Sequence, residues 1–231
     1  MTKYNDCEHC DDTGTMYGYG GTYIPCIYCG PDDKSIPEKM LKYENAKLKN
    51  QLIFTLPASK EVCGRECPGC YAMKAQVRFP KALEYRERML GYTKDDTFED
   101  TIVSEVQGNK KLLKAVRVHE SGEMYSQDYI DKWYRIAKRL PDIKFYAFTK
   151  RLKQFNFDAL MKLDNFVVID SLKFNGLNYD KEDKIKVLAE KYNAKICPAT
   201  VKGSASTTCG VSCDYCWTKE AQNNGVLFIK H

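Results

Sequence analysis

From residue 51 onward the chain alternates short apolar runs with helical stretches about five times, and this rhythm constrains the fold more than any other feature. The runs are QLIFTL (51–56), KAVRVHESGE (114–123), IKFYAFTK (143–150), NFVVIDSL (165–172) and AKICPAT (194–200), with GVLFIKH (225–231) as a last strand. Nearly continuous apolar strands separated by helices are buried on both faces, as in a parallel sheet. Between them, the segment 72–90 is helical but interrupted at Pro80, which breaks or restarts a helix. The segment 95–107 presents Phe98, Ile102, Val103 and Val106 on one face and ends near Gly108. The segment 126–142 is the clearest helix: Ser126 caps it, Tyr129, Ile130, Trp133, Ile136, Ala137 and Leu140 share a face, and Pro141 stops it. Shorter helices are predicted over 157–164 and 180–193. The predicted architecture is α/β, a partial (β/α) barrel of about six mostly parallel strands, with an open sheet as the other solution.

In such folds reactive groups collect at the carboxyl ends of the strands. Here those ends carry Cys63/Cys67/Cys70, then His119-Glu120-Ser121-Gly122-Glu123, Thr149-Lys150, Asp170-Ser171 and Cys197-Pro198. The chemically unusual residues of the core therefore fall on one rim. His119 is a candidate acid or base, and Lys150 a candidate anion holder. An ordinary strand-end hydrogen bond for His119 and a surface position for Lys150 are the competing readings.

Ten of the eleven cysteines sit in tight groups: 7/10, 26/29, 63/67/70 and 209/213/216. No run is long enough to span a membrane, and the N-terminus MTKYNDCEHC has no apolar stretch suited to a signal peptide. The expected compartment is thus a reducing cytoplasm, with no membrane partner. There, grouped cysteines read as metal ligands rather than disulfides. Cys7-x2-Cys10 and Cys26-x2-Cys29 have the spacing of a four-cysteine Zn2+ site, which sets residues 1–31 apart as a zinc module. His9 between the first pair has no vacancy to fill. The intervening GTMYGYGGTY reads as a β-hairpin, and 32–50 as a charged linker running into a short helix ahead of a 51–231 domain.

Cys63-x3-Cys67-x2-Cys70 provides three thiolates from one loop, one short of closing a four-iron cube. Cys209-x3-Cys213-x2-Cys216 repeats the spacing, and Cys197 can complete it. This second site reads as an auxiliary [4Fe–4S] cluster or as zinc, between which spacing does not choose. Alternatively, Cys197 is a buried core thiol and the second site is open as well. Tyr215 and Trp217 are positioned to shield it.

The zinc module resembles the Cys-x2-Cys-x-Gly motifs of Hsp40 chaperones, with a single repeat pair. The first triplet, following a strand at the mouth of an α/β barrel, resembles the radical S-adenosylmethionine (SAM) superfamily. That resemblance implies that SAM chelates the open iron of a [4Fe–4S] cluster and is cleaved to a radical after delivery of one electron by a donor. It also implies that Ser121-Gly122-Glu123 stands where the family holds the SAM amino group, with Glu123 as acceptor, and that Asp170 or Ser171 stands at the ribose. Departures are Gly69 rather than an aromatic residue before Cys70, and Ser121 in place of a glycine. The family's glycine-rich fifth-strand motif is not found.

Residues 51–217 also resemble a phage protein family named after gene product 88. The shared features are Cys67-x2-Cys70-Tyr71-Ala72, His119-x-Ser-Gly-Glu-x-Tyr-Ser126, Phe145-Tyr-Ala-x-Thr-Lys150, Cys197-Pro198 and Cys213-x2-Cys216-Trp217. This implies a phage or prophage origin and a host-cytoplasmic location. With a net charge of +5 the chain is compatible with a nucleic-acid or nucleotide substrate without requiring one. The expected function is a radical-SAM-like iron–sulfur enzyme. The alternatives are a non-catalytic metal-braced protein that binds nucleic acid or another protein, and an iron–sulfur enzyme whose open iron works without SAM.

Overall fold

The computed structural model describes residues 39–64, 70–174, 182–201 and 208–229, together with two short strands nearer the N-terminus. The chain forms two compact units, Met1–Lys39 and Met40–His231. In the first, β1 (Thr15–Tyr17) pairs antiparallel with β2 (Tyr23–Pro25), as the Gly- and Tyr-rich segment predicts. Cys7, His9, Cys10, Cys26 and Cys29, and with them the zinc expectation, lie outside the described residues.

The second unit begins with β3 (Lys42–Tyr43), which pairs antiparallel with β4 (Gln51–Phe54). The short helix expected near here is not present among residues 39–50. Instead the Asn45 side chain accepts from the backbone N–H groups of Lys47 and Leu48 and tightens a turn that aligns the two strands. Then follow α1 (Lys60–Cys63), α2 (Tyr71–Arg78), α3 (Pro80–Tyr92) and α4 (Phe98–Asn109), leading into β5 (Ala115–Val118). Pro80 starts α3 at its first position, where a missing N–H costs nothing. Helix α5 (Gln127–Arg139) starts at Ser126, whose hydroxyl accepts from Tyr129 N–H at 3.2 Å. Next come β6 (Lys144–Thr149), α6 (Asp158–Lys162), β7 (Phe166–Asp170), α7 (Glu182–Tyr192), β8 (Lys195–Ile196), α8 (Lys219–Asn224) and β9 (Val226–Leu227).

The main sheet has the order β3-β4-β5-β6-β7, parallel from β4 to β7. It is open, and no barrel closes among the described residues. The strand that would continue it, β8, forms a separate two-stranded parallel pair with β9. Only Lys195 and Ile196 extend there before Pro198 turns the chain into a 3-10 helix, and both pair with β9 rather than with the edge of β7.

Strand periodicity gives the sheet two different faces. Leu52, Phe54, Val116, Val118, Phe145, Ala147, Phe166 and Val168 face the large core beneath the helices, where Phe54, Phe98, Tyr129 and Trp133 pack edge to face. Ala115, Tyr146, Val167 and Ile169 face the opposite way, onto Tyr215, Cys213, Cys216 and Trp217. A cysteine-bearing segment thus covers the face that a barrel would enclose. No helix among the described residues is long and apolar enough to cross a membrane.

Candidate functional site

A cavity of about 420 Å3 lies between the carboxyl edge of the sheet and this C-terminal cover. Six of its lining residues are cysteines: Cys63 and Cys70 from one side, and Cys197, Cys209, Cys213 and Cys216 from the other. Residues nearly 150 positions apart are brought together because β4 and β5 are neighbours and the last segment folds back across them. Cys67 is outside the described residues.

The loop carrying the first triplet is fastened at both ends. Ser59 caps α1 by accepting from Val62 N–H, and Gly64, at φ 67°, ends it immediately after Cys63. Arg151 packs against Gly64 and donates to the Val62 carbonyl at 3.2 Å. On the other side, Cys70 opens α2, whose Gln76 amide bonds both the N–H and the carbonyl of Ala58. Buried Arg86 donates to the Ala72 carbonyl and to Gln76 Oε1. Cys63 and Cys70 thus stand at the ends of two anchored helices.

The second set is held by backbone pairing. Cys209 bridges to the turn before β4: its N–H donates to Lys47 O, its carbonyl accepts from Lys49 N–H, and the Gln51 amide adds a third bond. Gly210, at φ 90°, presses against the Lys49 carbonyl where a side chain has no room, and its N–H donates to Cys213 O at 2.8 Å. Cys197 N–H donates to Leu227 O, extending the β8–β9 ladder. Cys216 lies in a 3-10 turn over the sheet. Burial, followed by the charges of Cys197 and Cys209, pushes the Cys216 thiol up to about 12. Burial likewise raises Cys197 and Cys209. Ionising several of them together requires a cation. Among the described residues no three His, Cys, Asp or Glu side chains are arranged to hold a single metal ion.

The rim residues named from sequence line the same cavity: His119, Ser121, Gly122, Glu123, Lys150, Asp170 and Ser171. Their settings differ. The loop after β5 continues the sheet ladder, with Glu120 N–H donating to Phe54 O and Leu56 N–H to Ser121 O. Gly122 sits at φ 88° against Leu56. The Ser121 hydroxyl is buried and has no hydrogen-bond partner. Glu123, 5% exposed, accepts from Met124 N–H at 2.9 Å and Lys150 N–H at 2.8 Å, so its carboxylate ties this loop to the end of β6. Burial raises its pKa above the ordinary 4.5 despite these donors and the Thr149 hydroxyl. Asp170 closes its own turn by accepting from Leu172 N–H.

His119, at φ 72°, is buried between Phe54 and Tyr129, with Nε2 2.9 Å from the Tyr129 hydroxyl. Burial, aided by the charge of Arg117, lowers its pKa to about 3, while the residue still borders the cavity.

Three cavity residues escaped the sequence reading. Tyr71 donates its hydroxyl to the Glu120 carbonyl. Tyr146 donates to Gln51 Oε1 at 2.6 Å, buried against the sheet. Arg117 stands in the middle of β5 and faces the cavity. One signal could have found it: a lone charge inside a strand whose neighbours are all apolar, in a sheet buried on both faces.

Comparisons with known proteins agree with this core and stop short of its chemistry. The chain is 25% identical over 188 residues to the Gene 88 protein of Mycobacterium phage L5, spanning 68% of this chain and 77% of the relative. It is 23% identical over 189 residues to the Gene 88 protein of Mycobacterium phage D29, spanning 68% and 78%. No solved structure matches. The Gene product 88 family matches residues 34–206, which include the sheet, the first cysteine triplet and Cys197, and the chain belongs to that phage-associated family.

Proposed function

We propose that the protein is an iron–sulfur enzyme of phage type, in which Cys63, Cys67 and Cys70 hold a [4Fe–4S] cluster with one open iron. The observation that carries this reading is the convergence of six cysteines, from segments far apart in sequence, on one cavity at the carboxyl edge of a parallel sheet. Cys197, Cys209, Cys213 and Cys216 would hold a second cluster. Four thiolates there suit either a cluster or zinc, and the metal quantification below chooses between them. The donor chemistry fits, because buried thiols raised by burial and by one another gain a counter-charge when metal replaces their protons. A cluster with an open iron supplies one-electron chemistry and a coordination position for SAM. SAM binding would use Ser121, Gly122, Glu123, Asp170 and Ser171. The unpartnered Ser121 hydroxyl and the capacity left on Glu123 after its backbone bonds support this. Phe148 and Trp217 keep the cavity wall apolar and limit water around the reacting centre. A nucleotide or nucleic acid is the proposed substrate class, and a separate electron donor is required. Cys7, Cys10, Cys26 and Cys29 are proposed to hold zinc.

The test is anaerobic purification with iron, sulfide and zinc quantification, followed by EPR of the dithionite-reduced protein with and without SAM. About eight irons and one zinc per chain, with a spectrum that SAM changes, is the expected result. Signals indifferent to SAM would move the reading to an enzyme that uses its open iron without it. Zinc alone would leave a metal-braced binding protein.

A further inference from the structure

Arg117 sets a cation where packing alone calls for an apolar residue. Its strand neighbours across the sheet are Ile53 on β4 and Tyr146 on β6, and Val167 follows on β7. The guanidinium lies 5.6 Å from the Tyr146 ring and 5.3 Å from the Phe148 ring, and it lines the cavity. Among the described residues no Asp or Glu forms an ion pair with it. Its protein acceptors are the His119 carbonyl, at a long 3.4 Å from Nε, and the Tyr146 hydroxyl. A guanidinium has five N–H donors in a planar fork, so much of the fork has no protein acceptor. Arg117 is half-buried where it faces the cavity, and stripping the remaining water from such a cation is costly unless an anion meets it. Arg117 lines the same cavity as both cysteine sets, and its charge acts on Tyr71, next to Cys70, and on Cys209 and Cys216.

We infer that Arg117 is an anion anchor, and that the cavity takes a small substrate bearing a carboxylate or phosphate, gripped by this guanidinium while its body rests on Phe148 and Trp217. The volume of about 420 Å3 suits a small molecule rather than a polymer chain. A bidentate fork matches either oxyanion. The inference deepens the enzyme reading and rests on it for the reaction, but not for the binding, which needs only the protein fold.

The experiment is calorimetric titration of phenyl phosphate and of benzoate into the full chain, purified anaerobically, with benzyl alcohol as the neutral control. It is run on the wild type, Arg117→Gln and Arg117→Lys, with iron content and circular dichroism measured on each. The expected result is that at least one anion binds while benzyl alcohol does not. Arg117→Gln weakens that binding at least tenfold, and Arg117→Lys, which keeps charge without the fork, falls between. Iron content stays unchanged in both. Should Arg117→Gln not fold, the loss in Arg117→Lys carries the test. No anion binding by the wild type, or binding equal in all three proteins, would overturn the inference. So would loss of about four irons in Arg117→Gln, which would make Arg117 the counter-charge of the second cysteine set. Arginine-dependent binding by a protein that takes up no iron would instead sink the cluster reading and leave the anchor standing.

Discussion

Replacing Glu123 separates a structural carboxylate from a ligand-holding one. Two backbone donors converge on it, Met124 N–H inside the core and Lys150 N–H at the cavity edge. Glu123→Ala strands both. A buried donor left without a partner costs about 1–3 kcal/mol. Met124 is fully buried, so its N–H should cost near the middle of that range, whereas water entering the cavity can reach Lys150 N–H and lower its share. The expected loss is about 2–4 kcal/mol. For a protein of this size that lowers Tm by roughly 5–15 °C, given about 2–4 °C per kcal/mol. Glu123→Gln should behave differently. It keeps one acceptor, loses the other, and removes a charge that burial disfavours, so its change should stay within about 1 kcal/mol. The pH dependence has a defined sign: because folding raises this carboxyl's pKa above 4.5, its contribution is greatest below that value and declines as pH rises through the raised one. Glu123→Gln should lack that decline. Denaturant unfolding followed by circular dichroism at several pH values reads all of this. A Glu123→Ala protein as stable as the wild type, altered only in its response to SAM, would refute the structural role.

Gly122→Ala would place a methyl group 2.5 Å from the Leu56 Cβ at a φ of 88°, and should cost about 2–4 kcal/mol by thermal unfolding. Ser126→Ala removes the cap of α5 and should cost about 1 kcal/mol in the same assay. His119 titrates near 3 folded against 6.5 free, so stability should fall by up to about 1.4 kcal/mol per pH unit as pH drops between those values. His119→Asn, which tolerates the positive φ, should flatten that limb of the stability profile. Cys216→Ala should lower iron by about four per chain while leaving the first cluster's EPR signal; unchanged iron would remove the second cluster from the proposal.

Local physics made much of the core legible. The cap at Ser126, the stop before Pro141, the restart at Pro80 and the apolar runs of β4 to β7 depend on neighbours within a few residues, so sequence alone determined those elements. The grouping of reactive residues at strand ends followed from topology and was legible too. The residues 39–50 were not: sparse apolar residues and many charges read as a linker with a helix, while pairing to β4 made a strand at Lys42 and Tyr43. Closure of a barrel was likewise beyond local reading, since whether β8 joins the edge of β7 or pairs with β9 depends on segments far apart in sequence.

The site divides along the same line. Spacing alone marked ten of the eleven cysteines as metal-ligand candidates, because a short loop fixes how far apart its thiols sit, and left Cys197 open. Only the tertiary structure decided that both sets border one cavity, that Glu123 accepts from two backbone donors, and that His119 is buried against Tyr129. It also decided that Arg117 faces that cavity between Ile53 and Tyr146. Burial, the charges of distant neighbours and the face on which a strand residue lands are properties of the packed sheet, and no window of adjacent residues contains them.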